Sequence, residues 1–120
     1  MDHSRGTLEI ERTLPGPVLV ALLGEHDMDT CPKLRETLQG FASQGHALVI
    51  DLTETTFIDS SILHALVDAR AACSRHEQPC VLQFGTSHVV HRVMTVSGLL
   101  NLFDHAESRA DAVRLALELR

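Results

Sequence analysis

Residues 48–63 read LVIDLTETTFIDSSIL. The stretch opens with an apolar run over residues 48–50 that is typical of a buried strand. A short polar crossing follows, and Asp59, Ser60 and Ser61 then open an apolar helix. The pattern predicts a strand–helix unit with a carboxylate and two hydroxyls at the positively polarised end of a helix. A hydroxyl at such a position suits reversible addition of a phosphate better than nucleophilic catalysis.

Elements of the same two kinds recur along the rest of the chain. We predict strands over residues 7–13, 18–23, 47–52 and 80–84, a short strand within 99–103, and helices after Thr30, Ser60, Ser87 and Ser108. Continuous apolar strands that alternate with amphipathic helices are typical of an α/β layer with a parallel sheet. We therefore expect one domain over residues 1–120, with a mixed, largely parallel sheet of four to five strands and about four helices. Residues 1–6 are expected to be flexible, because chain ends fray.

Composition and charge exclude several classes of protein. Lys and Arg number 10 against 16 Asp and Glu, and the net charge of -6 argues against nucleic acid or an anionic membrane as a partner. Aromatic residues make up only 3 % of the chain, which is too few to build a base-stacking surface for single-stranded nucleic acid. Cys31, Cys73 and Cys80 are an odd number without CxxC spacing, which favours reduced thiols in a cytoplasmic protein. We expect neither a signal peptide nor a membrane span.

Catalytic and metal-binding alternatives have little support in the residue pattern. His64 follows Ser60 by four residues, but no G-x-S-x-G elbow is present and no orienting acid is evident. Residues 27–30 approach an aspartate phosphotransfer motif, although the threonine comes one position early. His88 and His91 share a helix face without a third ligand nearby in the sequence. We therefore expect no catalytic residues, no metal and no cofactor.

The hydroxyl pair has a simpler interpretation as a helix cap. Asp59 or Ser60 can accept hydrogen bonds from the first-turn N–H groups, which is worth about 1 kcal/mol. A phosphate on Ser60 would add about -1.5 to -2 charges at a helix end that tolerates them. Asp27 and Asp59, if close, would oppose it. We expect the fold to survive the modification while the surface no longer fits a partner.

Four stretches resemble the STAS domain, named for sulfate transporters and anti-sigma factor antagonists. Residues 48–63 are similar to its signature of a strand, Asp-Leu-Ser/Thr, a short crossing and Asp-Ser-Ser/Thr-Gly-Leu-Gly. Residues 23–27 resemble its Gly-Glu-x-Asp loop, residues 92–99 its third helix and following Gly-Leu, and residues 103–112 its closing segment. Ile62 and His64 stand where the family commonly has glycines that admit a partner backbone.

The resemblance implies a bacterial anti-sigma factor antagonist. Such a protein binds an anti-sigma factor that is also a serine kinase, and so releases a sigma factor. The implied phosphorylation site is Ser60, with Ser61 as second choice; phosphorylation abolishes binding and a serine phosphatase reverses it. The implied partner-binding residues are Glu25, Asp27, Asp59, Ser60, Ser61, Ile62 and His64. The alternative is a non-phosphorylated accessory subunit of a lipid-transport ATPase or of a larger signalling complex.

Overall fold

Six strands and four helices follow one another in the computed structural model, which describes residues 5–13 and 15–119. The strands are β1 (Thr7–Arg12), β2 (Val18–His26), β3 (Leu48–Asp51), β4 (Thr55–Ile58), β5 (Cys80–Gln83) and β6 (Asp104–Ala106). The helices are α1 (Cys31–Ser43), α2 (Ser60–Arg75), α3 (His88–Val96) and α4 (Arg109–Glu118), with a 3-10 helix at Leu100–Leu102.

The strands form one mixed sheet in the order β1-β2-β3-β5-β6. β1 pairs with β2 in antiparallel orientation, and every other pairing is parallel. β4 lies outside this path and pairs with the last part of β2, where Glu25 faces Phe57 and His26 faces Ile58. The predicted α/β class with a mixed, largely parallel sheet is confirmed.

The predicted number of four to five strands is too low, since the described residues form six. β2 continues to His26, and β4 occupies what the sequence suggested was a crossing. The strand expected within residues 99–103 is replaced by the 3-10 helix, and β6 follows at residues 104–106. The end of β2, β4 and β6 are short segments that are partly exposed, and main-chain hydrogen bonds hold them in the sheet. An apolar pattern does not record such bonds.

Helices cover the sheet on both sides. α1, α2 and α3 pack on one face, over alternate residues of the strands such as Val20, Ile50 and Leu82. α4 packs on the other face, where Ala112 and Ala116 contact the second set of alternate residues, Leu19, Val49 and Val81. Burial on both faces explains why the central strands are apolar without interruption.

The pairing of β2 with β4 positions the region around Ser60. Both strands end at the same edge of the sheet, because parallel neighbours point their carboxyl ends the same way. The chain then enters residues 27–30 after β2 and Asp59 after β4. Arg5 forms an isolated bridge with Glu25, whereas residues 1–4, for which flexibility is predicted, lie outside the described residues.

Candidate functional site

Asp59 caps the N-terminus of α2. Its backbone is extended, with φ -109° and ψ -175°, and its Oδ1 accepts hydrogen bonds from the backbone N–H groups of Ser61 at 3.0 Å and Ile62 at 3.3 Å. These bonds satisfy N–H groups that have no partner inside the helix. The predicted cap at Asp59 or Ser60 is therefore confirmed at Asp59.

The second oxygen of Asp59 joins the helix start to the loop after β2. Its Oδ2 accepts a hydrogen bond from the backbone N–H of Met28 at 3.1 Å. The Ser61 hydroxyl donates to Oδ1 at 2.5 Å and is the main reason that the pKa of Asp59 lies below its usual value. The backbone N–H groups lower this pKa further, while desolvation opposes them. The carboxylate thus stays ionised and holds the two segments together.

The two adjacent hydroxyls have different surroundings. The Ser61 side chain is half-buried, and its hydroxyl donates a hydrogen bond to Asp59 Oδ1. Ser60 is exposed, and its hydroxyl makes no hydrogen bond with the described part of the chain. The cap does not use Ser60, so a modification there leaves the hydrogen bonds of the helix start in place.

Residues 27–30 form a loop that is hydrogen-bonded within itself. Asp27 Oδ1 accepts from the backbone N–H of Asp29 at 2.9 Å. Thr30 occupies the N-cap position of α1, but its hydroxyl makes no capping hydrogen bond to that helix. Thr30 Oγ1 instead accepts from the backbone N–H of Asp27 at 3.1 Å and hydrogen-bonds His26 Nδ1 at 3.0 Å.

His26 anchors this loop to the sheet. The side chain is 1 % exposed, and its Nε2 lies 3.2 Å from two carbonyl oxygens, of Thr7 and of Leu23. Because both neighbours of Nε2 are acceptors, the proton is assigned to Nε2 and Nδ1 accepts from the Thr30 hydroxyl. Burial lowers the pKa of His26, which keeps the ring neutral at physiological pH.

The structure brings most of the predicted partner-binding residues to one surface. Glu25, Asp27, Asp59, Ser60 and Ser61 lie at the adjoining ends of β2 and β4, and His64 is exposed one helical turn along α2. Ile62 is different, since its side chain is 0 % exposed and packs in the core. It therefore adds no bulk to the surface around Ser60.

Two exposed apolar side chains in the same region were not among the partner-binding residues predicted from the sequence. Met28, in the loop that hydrogen-bonds Asp59, is 72 % exposed, and Phe57, on β4, is 46 % exposed. The sequence carried no clear signal for Phe57, because β4 buries Thr55 and Ile58 and so does not follow the two-residue alternation of a regular strand.

Comparison with known proteins defines the family. The family model described as "Mlab, STAS domain" matches residues 11–104, so the chain belongs to the STAS domain family. The anti-sigma-B factor antagonist of Listeria monocytogenes is 30 % identical over 99 residues, which cover 82 % of this chain and 86 % of that protein.

Solved structures show the same fold. An anti-sigma factor antagonist from Mycobacterium paratuberculosis superposes with a TM-score of 0.85 at 23 % identity, covering 97 % of both chains. The Bacillus cell fate determinant SpoIIAA in its phosphorylated form gives a TM-score of 0.70 at 19 % identity, covering 88 % of this chain and 96 % of that one. No helix in the described part of this chain has the length and apolar character needed to cross a membrane.

Proposed function

We propose that this chain is an anti-sigma factor antagonist, acting in the cytoplasm, whose binding to an anti-sigma factor is switched off by phosphorylation of Ser60. The observation that carries the proposal is the exposed Ser60 hydroxyl at the start of α2, beside a cap that Asp59 completes without it. The Listeria relative, an anti-sigma-B factor antagonist, supports the choice of partner.

The arrangement accommodates a phosphate without unfolding. The N-terminus of a helix favours negative charge by about 0.3–1 kcal/mol. The ionised Asp59 beside Ser60 opposes the added charge, but its cap remains intact because Ser60 takes no part in it. A partner that packs closely over Ser60, however, would have to bury a group carrying about -1.5 to -2 charges. Burying an unpaired charge is strongly unfavourable, so the modified surface loses its fit while the domain keeps its fold.

Met28 and Phe57 supply the apolar contacts of the proposed docking surface. They lie on the two segments that the Asp59–Met28 hydrogen bond holds together at the start of α2. A few large side chains generally carry most of the binding energy at a protein interface. The partner is expected to offer an apolar pocket to these two side chains and basic groups to Glu25 and Asp27.

The kinase is expected to be the anti-sigma factor itself, using ATP, and a serine phosphatase would restore the free hydroxyl. Incubation with the cognate anti-sigma factor and ATP, followed by intact mass measurement, tests this step. Wild type and Ser61→Ala should each gain one phosphate, whereas Ser60→Ala should gain none. Equal labelling of Ser60→Ala, or no labelling of wild type, contradicts the switch.

Binding is tested separately from phosphorylation. Ser60→Asp should weaken the complex with the anti-sigma factor several-fold or more and leave thermal unfolding nearly unchanged. Met28→Ala should also weaken the complex, because Met28 is exposed and its loss leaves no cavity in the core. Unchanged affinity of both variants would favour the alternative, a non-phosphorylated accessory subunit of a lipid-transport ATPase or a larger signalling complex.

A further inference from the structure

His64 is the one side chain in the first two turns of α2 that can carry a positive charge. The helix begins at Ser60, and its other basic side chains, Arg70 and Arg75, come more than two turns later. Ser60 and His64 are both exposed. Among residues 5–13 and 15–119, ring-nitrogen hydrogen bonds occur at His26 alone, which leaves both nitrogens of the His64 ring available.

Helix geometry directs the His64 side chain toward Ser60. Residues four apart in a helix are neighbours on one face, with Cβ atoms about 5–6 Å apart. Each Cα–Cβ bond tilts toward the helix N-terminus, so a long side chain covers the turn before its own Cα. The two residues after Ser60 do not compete for a group attached there, because the Ser61 hydroxyl is bonded to Asp59 and Ile62 is buried.

The charged groups of the elements that pack against α2 are engaged elsewhere or buried. These elements are α1, β4 and β5. β4 has no charged residue, and Cys80, the one titratable residue of β5, is buried. On α1, Arg35 forms an ion pair of 2.6 Å with Asp68, one turn beyond His64, and the Cys31 thiol donates to a carbonyl of the first turn of α2 at 3.5 Å.

A phosphate on Ser60 would have carboxylates on one side and His64 on the other. Asp59 directly precedes Ser60, and Asp27 and Asp29 lie on the loop that Asp59 holds. We propose, on the basis of the proposed phosphorylation of Ser60, that His64 is the positioning residue for the phosphate. Its protonated ring donates a hydrogen bond to a phosphate oxygen and holds the group over the first turn of α2.

This pairing makes the modified surface sensitive to pH. A histidine ring takes up its proton over the range, about pH 6–6.5, in which phosphoserine gains its second negative charge. Because each charge favours the other, the second ionisation of the phosphate moves to lower pH while the ring stays protonated. As the pH rises and the ring becomes neutral, the pair is lost and the phosphate is held less firmly.

The test is a phosphorus NMR titration of the full chain with phosphoserine placed at position 60 during translation, which requires neither a kinase nor an anti-sigma factor. The midpoint of the phosphate signal against pH reports the second ionisation. His64→Gln should raise this midpoint by about 0.5 pH unit, because a unit positive charge about 6 Å away in water lowers it by that amount. His64→Lys should keep the midpoint low, since lysine supplies the same charge.

His76→Gln is the matched control. His76 is exposed at the end of α2, about 24 Å along the helix axis from Ser60, which is well beyond the screening length of about 8–10 Å. Its variant should titrate like the parent. Because Ser60 and His64 are exposed, the modified chains are expected to fold normally, and their unfolding temperatures verify this.

A midpoint in His64→Gln within about 0.1 pH unit of the parent would overturn the role of His64. So would an equal rise of the midpoint in His64→Gln and His64→Lys, because the effect would then not depend on the charge. Failure of the anti-sigma factor to phosphorylate Ser60 is a separate result, since translation supplies the phosphoserine in this titration.

Discussion

The Asp59 carboxylate caps α2 and also accepts a hydrogen bond from the loop after β2, and two substitutions of Asp59 separate these two roles. Asp59→Ala removes the helix cap, worth about 1 kcal/mol, and the bond to the Met28 N–H, worth about 1 kcal/mol. The loss of negative charge at the helix start adds about 0.3–1 kcal/mol. We expect a total loss of about 2–3 kcal/mol in the free energy of unfolding.

Asp59→Asn should be about 1 kcal/mol less destabilising than Asp59→Ala, because Asn is an equally good cap. Three donor atoms, the nitrogens of Ser61 and Ile62 and the Ser61 hydroxyl, face Oδ1, so the amide oxygen is expected there. The amide NH₂ group then faces the Met28 N–H and cannot accept its hydrogen bond. The variant therefore keeps the cap and loses the link to the loop.

Urea unfolding of wild type and the two Asp59 variants measures these differences. Asp29→Asn is the control, because Asp29 is exposed and its carboxylate makes no hydrogen bond among the described residues. We expect it to be nearly neutral. A cost of less than about 0.5 kcal/mol for Asp59→Ala, or equal stability of the Asn and Ala variants, would contradict these two roles of the carboxylate.

The same carboxylate has a defined pH dependence. The pKa of Asp59 is lowered in the folded state, mainly by the Ser61 hydroxyl, so the folded state binds this proton less readily than the unfolded chain. Its contribution to stability is present above the unfolded pKa of about 4 and is lost as the pH falls through the lower folded pKa. The stability difference between wild type and Asp59→Asn should shrink correspondingly in acid. A constant difference down to about pH 2 would contradict this assignment.

Three further predictions concern other parts of the chain. Glu77 has φ +56° at the end of α2, so Glu77→Gly should raise the free energy of unfolding by about 0.5–1 kcal/mol in urea unfolding; a loss would contradict left-handed strain there. Gly6→Ala places a Cβ against Glu25 O and 2.6 Å from the His26 ring, and should lower the unfolding temperature through an overpacking cost of about 1–3 kcal/mol; no change would show that the backbone before β1 shifts freely to make room. The Cys73 thiol and burial raise the pKa of Cys80 well above its usual value, so a thiol reagent monitored by mass should modify Cys80 only after denaturant is added.

The sequence determined the class of the fold because local patterns carry that information. Apolar runs mark the central strands, and apolar residues at helical spacing mark the helices, since both follow from which side chains leave water. The cap at Asp59 was also predictable, because a cap depends on residues that are adjacent in the chain. The hydroxyl at Ser60 could be placed at a helix start for the same reason.

Only the tertiary structure decided how distant segments meet. β4 joins the sheet through main-chain bonds to the end of β2, which no apolar pattern records. That pairing places the Met28 N–H within hydrogen-bond distance of Asp59, so the loop after β2 and the start of α2 form one surface. The position of Ile62 on α2 turns its side chain toward the sheet, where it is buried in the core. His105 in β6 lies near His91 on α3 because β6 pairs with β5. Contacts between residues far apart in the chain depend on strand order, and strand order is set by the packing of the whole domain rather than by any one segment.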